Sequence, residues 1–151
     1  MRLRGFEIAK GWEDKGINLP KRATKHSAGY DIEAAEDVTV PVFQVGTRPT
    51  FIPTGLKAYC QPDEFYSVIN RSSGAGKGIV LANGLGIIDA DYYNNTNNDG
   101  HFQVLVFNVS NQPLEIHKGD RIAQVIFQKF LTVDDDMAGE EVRQGGWGST
   151  D

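Results

Sequence analysis

The chain reads as an all-β barrel or sandwich with at most one short helix. Turn residues punctuate it about every ten residues, and the runs between them are rich in Val, Ile, Phe and Tyr. No segment sustains an apolar period of 3.6. In chain order, strands are predicted at 55–60 (GLKAYC), 65–69 (FYSVI), 102–107 (FQVLVF) and 122–127 (IAQVIF). The short helix is expected after Arg71-Ser72-Ser73. Ile87 and Ile88 read as buried strand residues, with Asp89 emerging where that strand leaves the core. The polar stretch 94–100 (NNTNNDG) reads as a hairpin tip joining two strands. After Phe130 the apolar pattern stops, which divides the chain into a β-domain, 1–130, and a flexible C-terminal arm, 131–151.

A length of 151 residues fits one domain with a sizeable core. The net charge of −5 lies wholly in residues 131–151, and residues 1–130 are neutral. Without a basic stripe, binding to duplex nucleic acid by phosphate neutralisation is disfavoured. No apolar run approaches the ~20 residues of a membrane span, and the N-terminus lacks the apolar core of a signal peptide. Cys60 is the single cysteine, so no intrachain disulfide is expected, and it reads as a buried small hydrophobe. A cytoplasmic location is the default. His26, His101 and His117 show no metal-ligand spacing, and no Ser sits in a Gly-x-Ser-x-Gly elbow.

Four segments hold residues suited to chemistry. In 83–93 (NGLGIIDADYY), Asp89 stands at a strand end beside Tyr92, where a fixed carboxylate can activate water. In 71–78 (RSSGAGKG), Arg71, Ser72 and Ser73 suit a phosphate cradle, although the order is not that of a P-loop and a plain Ser/Gly turn fits as well. In 119–124 (GDRIAQ), alternation puts Arg121 and Ala123 on one face and Ile122 and Gln124 on the other. Gln124 there needs a hydrogen-bond partner, which a phosphate or an ordered water could supply; a structural Asp120–Arg121 turn is the alternative. In 145–151 (GGWGSTD), Trp147 cannot bury itself among glycines and needs a partner surface, either a nucleobase or a protein groove.

With Ser27-Ala28-Gly29-Tyr30-Asp31-Ile32 ahead of these four segments, the chain resembles the trimeric-type dUTPases. Those hydrolases convert dUTP to dUMP and pyrophosphate. Ile52-Pro53-Thr54-Gly55-Leu56 matches as well. The resemblance implies a jelly-roll-like β-barrel and a homotrimer, with the arm of one chain closing over a pocket built by the other two. It implies that Asp89 is the base that activates water, and that Tyr92 lies under the deoxyribose and leaves no room for a 2′-hydroxyl. Asn83, the backbone near Ile87 and Ile88, and Gln103 would read uracil. Arg71, Ser72, Ser73 and Gln124 would contact phosphates or water. Asp31 would hold Mg²⁺ through water, with the triphosphate as the main ligand. Trp147 would stack on uracil, while Arg143, Gly148, Ser149 and Thr150 would bind the phosphates. Asn70 stands where the family usually has Pro, which is expected to loosen the phosphate loop, and the 94–100 turn is longer than usual. A dCTP deaminase of the same fold would need a Glu on the strand at 102–108, which offers no carboxylate. A regulatory protein that binds a protein partner is the third reading, with the 94–100 turn as its candidate contact.

Overall fold

A computed structural model describes residues 1–139, 145 and 146. Ten strands form in chain order. They are β1 (Gly5–Ile8), β2 (Tyr30–Glu33), β3 (Val38–Val40), β4 (Thr50–Tyr59), β5 (Glu64–Ile69), β6 (Ile79–Leu81), β7 (Gly86–Asp89), β8 (Phe102–Asn108), β9 (Leu114–Ile116) and β10 (Arg121–Lys129). One short helix, α1 (Ser72–Gly76), follows Arg71, and a 3-10 turn (Ala90–Tyr92) follows β7. The strands make two four-stranded antiparallel sheets, β1-β4-β8-β6 and β2-β10-β5-β7, and the small β3-β9 pair. The all-β expectation holds, as do the four predicted strands and the helix after Arg71. The connectivity is jelly-roll-like.

Both large sheets contribute to one core. Ile32, Val68 and Val125 from one sheet cluster with Ile52, Phe102, Val104 and Val106 from the other, and Val40 and Ile116 close one side. β8 shows the cause most plainly. Phe102, Val104, Val106 and Asn108 alternate inward while Gln103, Leu105 and Phe107 face away. Burying each large apolar side chain contributes about 1.5–3 kcal/mol, so this face alone commits the strand.

A bulge in β4 adapts the register to β8 between Pro53 and Leu56. Gly55 sits there at φ +71°, where a Cβ would be strained and would also meet Ile17. Thr54, 1 % exposed, locks the bulge. Its hydroxyl donates to the Phe102 carbonyl at 2.6 Å and accepts from the Leu56 N–H at 3.1 Å. The Gly55 N–H donates to His101 Nε2 at 2.9 Å.

Three expectations are corrected. The 94–100 segment is no hairpin tip, because β7 and β8 belong to different sheets; the 3-10 turn redirects the chain and the segment crosses between them. Ile87 is 52 % exposed, because strand alternation turns it to the face opposite Ile88, and only Ile88 packs on the core. In β10 a register shift between Arg121 and Ala123 turns both Ile122 and Ala123 inward, so simple alternation fails at its start. Among the described residues no helix is long and apolar enough to cross a membrane. Residues 131–139 form no strand and are exposed.

Thr54→Val keeps the side-chain shape but leaves the Phe102 carbonyl and the Leu56 N–H without their partner. It is expected to lower unfolding free energy by about 1–3 kcal/mol, read as a lower urea midpoint at unchanged slope.

Candidate active site

β7, the 3-10 turn and β8 line a cleft of about 350 Å³ between the two sheets. That volume suits a small molecule. Asp89, the last residue of β7, stands exposed at this cleft with extended backbone. Asn83, Ile87, Ile88, Tyr92 and Gln103 line the same cleft. β7 is an edge strand, and among the described residues its outer backbone edge pairs with no further strand. Gly146 also lines the cleft, and a Cβ there would stand 2.6 Å from the Tyr92 ring. Arg143, Trp147, Gly148, Ser149 and Thr150 lie outside the described residues.

Tyr92 is held from several directions. Its hydroxyl donates to the His101 carbonyl at 3.1 Å and accepts from Asn98 Nδ2 at 2.6 Å. The 94–100 segment is therefore part of the site. Asn95, 6 % exposed, uses its amide to tie the Tyr92 carbonyl, the Asn97 and Asn98 N–H groups and the Asn98 side chain together. Asn94 and Asp99 adopt positive φ, which Asn and Asp tolerate best after Gly. Asp99 anchors the segment to β4 through Lys57 at 2.9 Å and accepts the Lys10 N–H at 2.8 Å.

His101 also lines the cleft and packs against Trp12 with ring centroids 5.3 Å apart. As its Nε2 accepts from Gly55, the ring is neutral with its proton on Nδ1. Burial pushes its pKa down to about 4. Cys60 is half-buried, and burial first of all pushes its thiol up to about 11, so it is no nucleophile near neutral pH.

A second group of polar residues lies elsewhere. Arg71 Nε donates to Asp31 Oδ1 at 3.1 Å, and Arg71 Nη1 donates to Ser73 Oγ at 3.2 Å and to the Arg121 carbonyl at 3.3 Å. Gln124 lies opposite Asp31 across β10 and β2. The partner of the Gln124 amide is the Asn70 carbonyl at 3.1 Å, where a phosphate or water was one expectation. Asn70 Nδ2 donates to the Ile79 carbonyl at 3.2 Å. Arg71, Ser73, Lys77 and Arg121 line a cleft of about 360 Å³ here, and Ser72 is exposed nearby on α1.

Strand register sets the distance between the two groups. Asp89 lies opposite Phe65 at the start of β5, and Arg71 follows the end of β5. Arg71 lies six residue steps beyond Phe65, roughly 20 Å at the usual extended rise. Within one chain the carboxylate and the guanidinium do not share a pocket.

The sequence reading missed Asn95, Asn98 and His101. The available signal was the density of asparagine in 94–98, more side-chain amides than a solvated turn requires.

Fold and clefts define a class: a jelly-roll-like protein with a nucleoside-sized cleft and a separate cleft lined by Arg71, Ser73, Lys77 and Arg121. A family model described as dUTPase matches residues 15–151. The deoxyuridine 5'-triphosphate nucleotidohydrolase of Lactococcus lactis is 47 % identical over 152 residues, covering 99 % of each chain. That of Rickettsia prowazekii is 40 % identical over 139 residues, covering 88 % of each. The crystal structure of dUTPase from Streptococcus mutans superposes with a TM-score of 0.79 at 40 % identity, covering 86 % of this chain and 98 % of that one. The chain belongs to the dUTPase family.

His101 makes stability depend on pH. Its pKa falls from an ordinary 6.5 to about 4 on folding, so between those values the unfolded chain binds a proton that the folded chain does not. Its stabilisation is complete above about pH 6.5 and is lost as pH falls toward 4. Urea midpoints measured across that window are expected to fall less steeply in His101→Gln than in the unsubstituted protein.

Proposed function

We propose that this chain hydrolyses dUTP to dUMP and pyrophosphate, with Asp89 as general base. The supporting observation is a carboxylate placed by a strand end at a nucleoside-sized cleft, in a chain matched to the dUTPase family over residues 15–151. Asp89 takes a proton from water as its oxygen attacks the α-phosphorus. The bond from that phosphorus to the bridging oxygen breaks, and pyrophosphate leaves. Proton removal by a positioned group contributes about 10²–10⁴-fold.

Uracil is read by the outer backbone edge of β7 near Ile87 and Ile88, with Asn83 and Gln103 beside it. Peptide N–H and C=O groups at fixed spacing fit one pyrimidine edge and leave a buried group unpaired with another, a penalty of about 1–3 kcal/mol. Tyr92 stands under the sugar and excludes a 2′-hydroxyl. Arg71, Ser72, Ser73 and Gln124 contact the phosphates and water.

Because Arg71 and Asp89 stand roughly 20 Å apart in one chain, the catalytic site forms between subunits. The cleft of one copy meets the Arg71 group of another, and a closed homotrimer is the assembly we propose. The arm 131–151 covers the cleft, supplying Trp147 to the base and Arg143, Gly148, Ser149 and Thr150 to the phosphates. Contact between Gly146 and Tyr92, here within one chain, supports an arm that reaches this cleft.

The donor set fits a Mg²⁺ ion held chiefly by substrate. Among the described residues no group of three or more His, Cys, Asp or Glu could cage a metal. Asp31, with Oδ1 already on Arg71, is suited to reach the ion through water. Bound Mg²⁺ supplies charge neutralisation on the triphosphate. Acting on a free nucleotide, the enzyme belongs in the cytoplasm, where removing dUTP limits uracil in DNA and supplies dUMP for dTMP synthesis.

Pyrophosphate release from dUTP, with dCTP, dTTP and UTP as controls, tests the reaction. Asp89→Asn is expected to cut turnover by at least about 10²-fold while calorimetry shows dUTP binding within severalfold. Undiminished turnover in that variant would remove Asp89 from the mechanism.

A further inference from the structure

The amide of Asn98 has only one orientation that satisfies its surroundings. Its Oδ1 accepts from Asn95 Nδ2 at 2.7 Å and from the Gly100 N–H at 3.0 Å. Both acceptor positions are thereby filled, so the NH₂ group faces the Tyr92 hydroxyl, 2.6 Å away. That hydroxyl donates its proton to the His101 carbonyl at 3.1 Å. The phenol is saturated and held at both ends. The other end of the residue is gripped too, because the Tyr92 carbonyl accepts from Asn95 Nδ2 at 2.8 Å and from the Asn95 N–H at 3.2 Å.

A wall excludes a substituent only as well as it resists displacement. A ring free to retreat would admit a 2′-hydroxyl for the small cost of moving. A ring whose hydroxyl must abandon two half-buried hydrogen bonds resists that movement. We infer that Asn98 is a positioning residue for Tyr92: its amide N–H on the phenol oxygen fixes the ring in the cleft and thereby sets the preference for deoxyribose over ribose. The inference rests on the dUTP-hydrolase reading and deepens it. The Asp99–Lys57 ion pair completes the device by tying the loop that bears Asn98 to β4.

Asn98→Asp separates positioning from general loop support. The carboxylate keeps an oxygen for Asn95 and Gly100 but offers the phenol no donor, and the single phenol proton cannot serve both that carboxylate and the His101 carbonyl, so one of the two restraints on the ring is lost. The measurement is the ratio of kcat/KM for dUTP to that for UTP in the full chain. Asn98→Asp is expected to lower the ratio about tenfold, chiefly by improving use of UTP, while kcat on dUTP changes less than about threefold. Tyr92→Phe removes the Asn98 bond together with the one to the His101 carbonyl and is expected to lower the ratio at least as much. Adding Asn98→Asp to Tyr92→Phe then changes nothing further. Thr96→Ala, on the same loop with an exposed side chain, leaves the ratio intact.

An unchanged ratio in Asn98→Asp overturns the inference. So does an equal loss when the substitution is added to Tyr92→Phe, because Asn98 would then act by another route. If Asn98→Asp fails to fold, as judged by thermal melting, Asn98→Ala, which removes the donor and leaves the His101 carbonyl in place, decides: a preserved ratio overturns the inference and a lowered one supports it. A wild-type chain without dUTP turnover overturns the functional reading and this inference with it. Turnover of dUTP with altered discrimination only in the variants leaves both standing.

Discussion

The antiparallel register of β5 against β7 is the constraint on which the functional account depends. It pairs Phe65 with Asp89 and Val68 with Gly86, so the carboxylate sits at the start of β5 and Arg71 follows the other end. No side-chain rearrangement closes roughly 20 Å, because the intervening strand is central, flanked by β10 and β7. One chain thus offers the cleft with Asp89 apart from Arg71, and the cleft with Arg71 apart from Asp89. Phosphoryl chemistry needs both at one phosphate. In the proposed assembly a second copy supplies what the fold of one copy separates.

Within the cleft, precision comes from contacts that join the two sheets. The bulge at Thr54 and Gly55 exposes a backbone N–H that a neutral His101 accepts. The carbonyl of the same His101 takes the proton of the Tyr92 hydroxyl. A distortion in β4 is thereby connected to the ring beside Asp89 through one residue. A protonated imidazole could not accept from Gly55, so the burial that depresses the His101 pKa protects this connection near neutral pH.

Much of this was legible in the sequence. The strands at 55–60, 65–69, 102–107 and 122–127 announced themselves through β-branched and aromatic residues between turn formers, and α1 fell where Arg71-Ser72-Ser73 implied. Asp89, Tyr92, Asn83 and Gln103 gather at one cleft as the motifs suggested. What failed was long-range. Alternation lets only one of Ile87 and Ile88 face the core, and which one does is set by the pairing of β7 with β5. The β10 bulge arises from pairing with β2, and the partner of Gln124 is the carbonyl of Asn70, far away in sequence. The 94–100 segment looked like solvent-facing turn because its amides are polar; their partners are mostly one another and Tyr92. Composition cannot distinguish a polar network turned inward from one turned to water.

Subunit mixing tests the shared site most directly. Asp89→Asn and Arg71→Ala chains, each inactive as a pure assembly, are unfolded together at equal concentration, refolded and assayed for pyrophosphate release from dUTP. If Asp89 and Arg71 reach one substrate from different chains, some mixed sites combine an intact Asp89 with an intact Arg71. Activity should then recover to roughly a quarter of the unsubstituted level by random assortment of two subunit types. No recovery, with mixed assemblies confirmed by native mass spectrometry, would mean that both residues act from the same chain and would contradict the account.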